Sequence, residues 1–246
     1  KLDGVDPYLM SHPAPQDRIA SLEQLAVSSA SFKAKDPASL IARHELMRAK
    51  LYGFTARGEE VARRYPVSDM SVPARYARAI MNYRNKRIPE SLALIEDLIR
   101  SDSANPYFWE LKGQVLLEFG QAREAVPALR RAVASLPEAG LIRGLLGRAL
   151  LATGDRGLLD EALRELTNAS QREPEDIESW RHLAIAYGQK NDIGMAEYSA
   201  AQESFLMGDQ QSAVNHAAKA KKLLPAGSPA ALKADDILNF RVPKSN

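Results

Sequence analysis

The chain holds four histidines and no cysteine. A disulfide, a thiolate nucleophile and a thiolate zinc site are therefore excluded within it. "RHELMRA" at 43–49 opens like HExxH, in which two histidines one helical turn apart face one metal ion. Here the second ligand position is Arg48, and a guanidinium repels zinc rather than binding it. His44 and Glu45 are expected on the exposed face of a capping helix. His182 and His216 stand alone in Ala-rich stretches, with no metal-binding partner three or four residues on, and structural roles are expected for both. His12 lies in "SHPAP", either a loop residue ahead of a helix or a remnant of a site. No GxSxG, P-loop or GxGxxG occurs. The residues alone give no catalytic constellation, no metal site and no cofactor in this chain.

The elements that would position these residues are helical. The 246 residues are 45% hydrophobic and 26% charged, with only 7% aromatic, and Ala, Leu, Arg and Glu favour helices. The net charge of +2, from 33 basic and 31 acidic residues, gives no push toward nucleic acid or an anionic membrane. No apolar run approaches the roughly 18 residues that span a bilayer.

Residues 105–139, "NPYFWELKGQVLLEFGQAREAVPALRRAVASLPEA", read as one repeat unit. With Pro106 as position 1, Trp109 is at 4, Gly113 at 8, Gly120 at 15, Ala125 at 20, Ala132 at 27 and Pro137 at 32. Small residues at 8, 20 and 27 let two helices approach closely. Gly120 permits the turn between them, and Pro137 stops the second helix. Pro127 is expected near the first turn of that helix, where proline is tolerated. Lys112 stands where the pattern has leucine, with Leu111 one residue early. These residues resemble a tetratricopeptide (TPR) unit.

The period of 34 propagates. Backward it gives a unit from Val72, with Ala79, Ser91 and Leu98 at positions 8, 20 and 27 and Ser103 for the final proline. Forward it gives Gly147, Gly154, Ala162, Ala169 and Pro174, with three extra residues in "DRGLL". Trp180, Leu183, Ala184 and Tyr187 follow at positions 4, 7, 8 and 11, and Gly208, Ala213, Ala220 and Pro225 at 15, 20, 27 and 32. Pro174 to Pro225 is 51 residues, one and a half periods. Three helices are expected there, the one near 193–207 serving as second helix of one unit and first of the next.

The fold expected is all-α, a TPR-type right-handed superhelix of antiparallel helix pairs. Residues 36–70 read as a degenerate capping pair, 71–225 as the repeats, and 226–246 as a closing helix, N-capped by Ser228, with a tail. Stacked units form a concave groove. First-helix positions 2, 5, 9, 12 and 13 point into it in TPR proteins, and here they include Tyr76, Tyr83, Arg84, Tyr107, Gln114, Glu118, Arg148, Arg181 and Gln189. Tyrosine and arginine are frequent at binding hot spots. A protein or peptide partner is expected there, and the mixed signs argue against a purely acidic peptide terminus.

The opening "DPYLMSHPAPQDRIASL" resembles the last signature of the catalytic domain in gluzincin metallopeptidases, the forty-eighth family of metallopeptidases. That family includes CAAX prenyl proteases and bacterial periplasmic enzymes. The matching residues are Ser11, His12, Pro13, Arg18 and Ile19. A bacterial subgroup of the family continues into C-terminal TPRs. The resemblance implies that 1–35 is the end of a peptidase domain plus a linker helix. HExxH and its zinc would then lie upstream of Lys1, with His12 near the zinc. It also implies a periplasmic or envelope-associated zinc metalloendopeptidase of protein quality control, whose repeats recruit or position substrates or assembly partners. The alternative is a free-standing TPR adaptor without peptidase activity. Beginning at Lys1, the chain is expected to be a fragment or a mature form.

Overall fold

The computed structural model describes residues 15–240. Among them are thirteen α-helices and no strand: α1 (Pro15–Ser28), α2 (Ala38–Thr55), α3 (Gly58–Arg64), α4 (Val72–Arg84), α5 (Ile88–Ser101), α6 (Pro106–Glu118), α7 (Ala122–Ser135), α8 (Gly140–Ala152), α9 (Leu159–Arg172), α10 (Ile177–Gln189), α11 (Ile193–Leu206), α12 (Gln210–Leu223) and α13 (Pro229–Asn239). Contacts divide the chain into two units, Lys1–Met47 and Arg48–Asn246. The division falls inside α2. In the first unit α1 exposes Ile19, Leu22 and Leu25. The second unit contains the repeats.

Helix starts in the second unit follow from short polar side chains that accept a backbone N–H. Ser71, Asn105, Asp176, Asp192, Asp209 and Ser228 each cap one helix in this way. The helices then fold back in hairpins, α4 on α5, α6 on α7 and α8 on α9, and each hairpin packs on the next. The small positions explain how close the helices come. A Cβ added at Gly113 would sit 2.3 Å from Leu129 Cγ, and one at Gly147 would sit 2.4 Å from Leu166 Cγ. Ala79, Ala125, Ala132, Ala162 and Ala169 are fully buried, and buried Ser91 donates its hydroxyl to Ala79 O at 2.8 Å.

The turn at position 15 is left-handed in every unit. Gly120, Gly154 and Gly208 have φ of 77°, 70° and 77°. Lys86 and Asn191 occupy the equivalent places with φ of 59° and 61°. The three extra residues of the third unit form the 3₁₀ turn Arg156–Leu158. Leu111 is buried and Lys112 pairs with Glu96, so the one-residue offset in the second unit keeps leucine in the core. One expectation is corrected. Pro127 is the sixth residue of α7, in its interior, where it removes the N–H that would bond to Arg123 O.

Between Pro174 and Pro225 there are three helices, α10, α11 and α12. α11 packs extensively on both neighbours. Its apolar residues are consequently not confined to one stripe: Tyr198 and Ala201 are buried while Met195, Phe205 and Leu206 pack at the edge of the same core.

Position 4 carries a second recurring device. Trp109 Nε1 donates to Ser103 O at 2.8 Å, Arg143 Nε to Pro137 O at 2.7 Å, and Trp180 Nε1 to Pro174 O at 2.8 Å. Each acceptor lies six residues earlier, at position 32 of the preceding unit. Arg75 occupies position 4 of the first unit, and its Nε is buried without a partner. The equivalent acceptor, Asp69 O, is taken at 2.8 Å by Arg78, which also holds Tyr65 O and Pro66 O.

Candidate functional site

The expected partner face is built by the first helices α4, α6, α8 and α10. Their side chains interlock rather than standing separately in solvent. Tyr83 of α4 donates its hydroxyl to the Glu118 carboxylate of α6. Gln114 Nε2 reaches both, at 3.4 Å from Tyr83 Oη and 3.1 Å from Glu118 Oε1. Burial and then the Glu118 hydrogen bond raise the Tyr83 phenol well above its ordinary range, so it stays a donor. Arg148 of α8 lies close enough to act electrostatically on Tyr83. It has no hydrogen bond or ion pair to any described residue. Phe54 and Phe119 flank Tyr83 edge-on, with centroids at 6.3 and 6.5 Å.

Two expected residues do other work. Tyr76 is 2% exposed and so lies beneath the face. Its ring packs edge-on against Phe108 at 5.3 Å, and its hydroxyl points to Tyr107 O at 3.5 Å. Arg84 donates to Gly53 O at 3.0 Å and Ala56 O at 2.6 Å, covering the end of α2. Tyr107 is 45% exposed, with the Lys50 ammonium 5.1 Å from its ring centroid. Lys50 in turn pairs with Glu110 at 2.7 Å. Arg181 bridges Glu178 and Glu203, the latter at 2.7 Å through Nε. Gln189 is exposed at the end of α10.

Lys50, Glu110, Glu178 and Glu203 were not among the expected residues. Glu110 and Glu178 sit at positions 5 and 2 of their helices, so the position rule could have found them. Lys50 lies before the repeats, where that rule has no register. Leu141 and Ile185, at positions 2 and 9, are also exposed on this face, at 61% and 46%. With the ion pairs closed on themselves, the face offers Tyr107, Leu141, Ile185 and the Arg148 cation.

The histidines do not converge. His44 is exposed on α2. His182 Nδ1 lies 2.7 Å from Glu178 O, and His216 Nδ1 lies 2.6 Å from Glu197 Oε2. Among the described residues no group of three His, Cys, Asp or Glu is placed to hold a metal ion. His12 lies outside the described residues. Among the described residues no helix is long and apolar enough to cross a membrane.

Residues 110–155 match the tetratricopeptide-repeat family model. The fold of the repeats is a TPR fold. Solved TPR structures agree along most of the chain. YrrB, described as a TPR protein with an unusual peptide-binding site, is 21% identical with a TM-score of 0.54, over 71% of this chain and 90% of that one. A MamA RS-1 double mutant is 21% identical with a TM-score of 0.55, over 70% of this chain and 97% of that one. MamA from Desulfovibrio magneticus RS-1 is 19% identical with a TM-score of 0.53, over 70% of this chain and 96% of that one. No curated protein matches the chain.

Proposed function

We propose that the chain is a protein-interaction module whose first-helix face binds an extended peptide segment of a partner. The observation that carries this is the mismatch within that face. Glu110, Glu118 and Arg181 are engaged internally, while Tyr107, Leu141, Ile185 and Arg148 remain presented side by side on successive units. An aromatic ring, two aliphatic side chains and one arginine suit a peptide with apolar residues around a single acidic or carbonyl-rich position. The peptide-binding site named for YrrB gives the reading a precedent within the fold. Peptides selected on this chain from a random library are expected to bind Arg148→Glu or Tyr107→Ala about tenfold more weakly or worse. Equal binding by both variants would refute the proposal.

The finer reading rests on Ser11, His12, Pro13, Arg18 and Ile19. Here the module serves a zinc-dependent endopeptidase encoded upstream, at the periplasmic face of the envelope, and delivers substrates or assembly partners to it. His12 would stand near the zinc of that upstream domain. Replacing His12 with Ala in the intact protein tests this, since unchanged peptidase activity and zinc affinity would exclude such a role. The second reading is a free-standing adaptor without peptidase activity, and the similar structures match over 90–97% of their own length.

A further inference from the structure

A cavity of about 590 Å³ lies along α9 and takes no residue from the first-helix face. That volume is within the range of small-molecule sites, roughly 300–1,000 Å³. One wall is Asp160, Leu163, Arg164, Thr167, Asn168 and Gln171. Their spacing alternates between three residues and one, which makes them a single stripe of the helix. At a rise of about 1.5 Å per residue the stripe is about 16 Å long, so an elongated ligand fits better than a compact one. Tyr187 and Lys190, from the C-terminal end of α10, and Asp192, which caps α11, form the other wall.

The lining selects a neutral, polar ligand. Its charged groups balance, Asp160 and Asp192 against Arg164 and Lys190. They are also engaged already. Lys190 pairs with Asp160, Arg164 acts electrostatically on Asp160 and on Glu161, and Asp192 accepts from Met195 N at 3.2 Å. An anion therefore meets no surplus of positive charge, and a cation no surplus of negative charge. The groups left for a ligand are uncharged. The Thr167 hydroxyl, the Gln171 amide and the Tyr187 phenol make no hydrogen bond to a described residue. Asn168 donates from Nδ2 to Arg164 O at 2.8 Å, which leaves its Oδ1 to accept. Donors and acceptors thus alternate along the stripe, and sugar hydroxyls both donate and accept. Leu163 is only 8% exposed, so the Tyr187 ring is the main apolar surface. A peptide would bring side chains with no apolar pocket to fill, whereas a sugar ring lays its C–H face on one aromatic ring. We propose that this cavity binds a short neutral oligosaccharide, with one ring stacked on Tyr187 and hydroxyls bonded to Thr167, Asn168 and Gln171. The site is separate from the first-helix face and does not depend on its function.

The test uses the full chain, isotope-labelled for chemical-shift mapping. It is titrated with maltotriose, cellotriose and chitotriose, which are α-linked, β-linked and N-acetylated, and in parallel with N-acetyl-triglycine amide. Expected is saturable shifting of Thr167, Asn168, Gln171 and Tyr187 by at least one trisaccharide, little changed by added salt because no charge is neutralised. Affinity for that sugar should fall about tenfold or more in Gln171→Ala and in Tyr187→Ala. Gln171 is exposed, so its variant keeps the fold even where Tyr187→Ala does not, and circular dichroism checks both. The proposal is overturned if no trisaccharide shifts these residues at up to about 10 mM, if the peptide amide binds there as tightly, or if the folded variants bind like the native chain.

Discussion

Trp109, Arg143 and Trp180 each tie the start of a first helix to the end of the preceding unit through one N–H. The bond of Trp180 is the most sheltered of the three, because the Trp180 side chain is largely buried. Trp180→Phe removes that bond and part of a buried ring system, and is expected to lower stability by about 2 kcal/mol. Urea unfolding checks this through a lower midpoint at constant slope. Arg75→Met at the same position should be neutral or slightly stabilising, because Arg75 Nε has no partner to lose. The tryptophan spacing was legible in the sequence as a repeat signature. Its hydrogen bond was not, since the acceptor is a backbone carbonyl that any residue supplies. Tyr76 fell short for a related reason: helical position gives the direction of a side chain, not its depth, and Phe108 covers it.

At the scale of elements, the half-period spacing revealed the shared helix α11, because proline and glycine mark helix ends whatever the partners are. What holds α11 to α12 was hidden. Glu197 of α11 accepts from His216 at 2.6 Å and from Lys219 at 3.4 Å, both on α12. Burial alone would raise the Glu197 carboxyl, but the His216 and Lys219 contacts outweigh it and hold the carboxyl below its usual value. A carboxyl lowered in the folded state stabilises above its unfolded pKa, and that contribution is lost as pH falls through the folded one. Stability should therefore decline below about pH 4.5, and Glu197→Gln should flatten that part of the decline while costing stability at neutral pH. Thermal melts of both proteins between neutral and acidic pH check this; parallel curves would refute the role of Glu197. Arg84 shows the limit of reading by repeat. Its position marked it for the partner face, but its acceptors lie in α2, outside the repeat register.

For the whole molecule, the all-α TPR fold could be read from residues that recur every 34 positions, because each recurrence has a steric cause. The partner face was legible only as a set of positions. Which side chains there neutralise one another depends on pairs between units, such as Tyr83 with Glu118 and Arg181 with Glu203. The central claim is that peptide binding belongs to what those pairs leave open. The most direct measurement is amide and side-chain chemical-shift mapping of a library-selected peptide titrated into the isotope-labelled chain. The account predicts that the largest shifts cluster at Tyr107, Leu141, Arg148 and Ile185, and that Arg148→Glu abolishes them. Shifts confined to the second helices, α7 and α9, would contradict it.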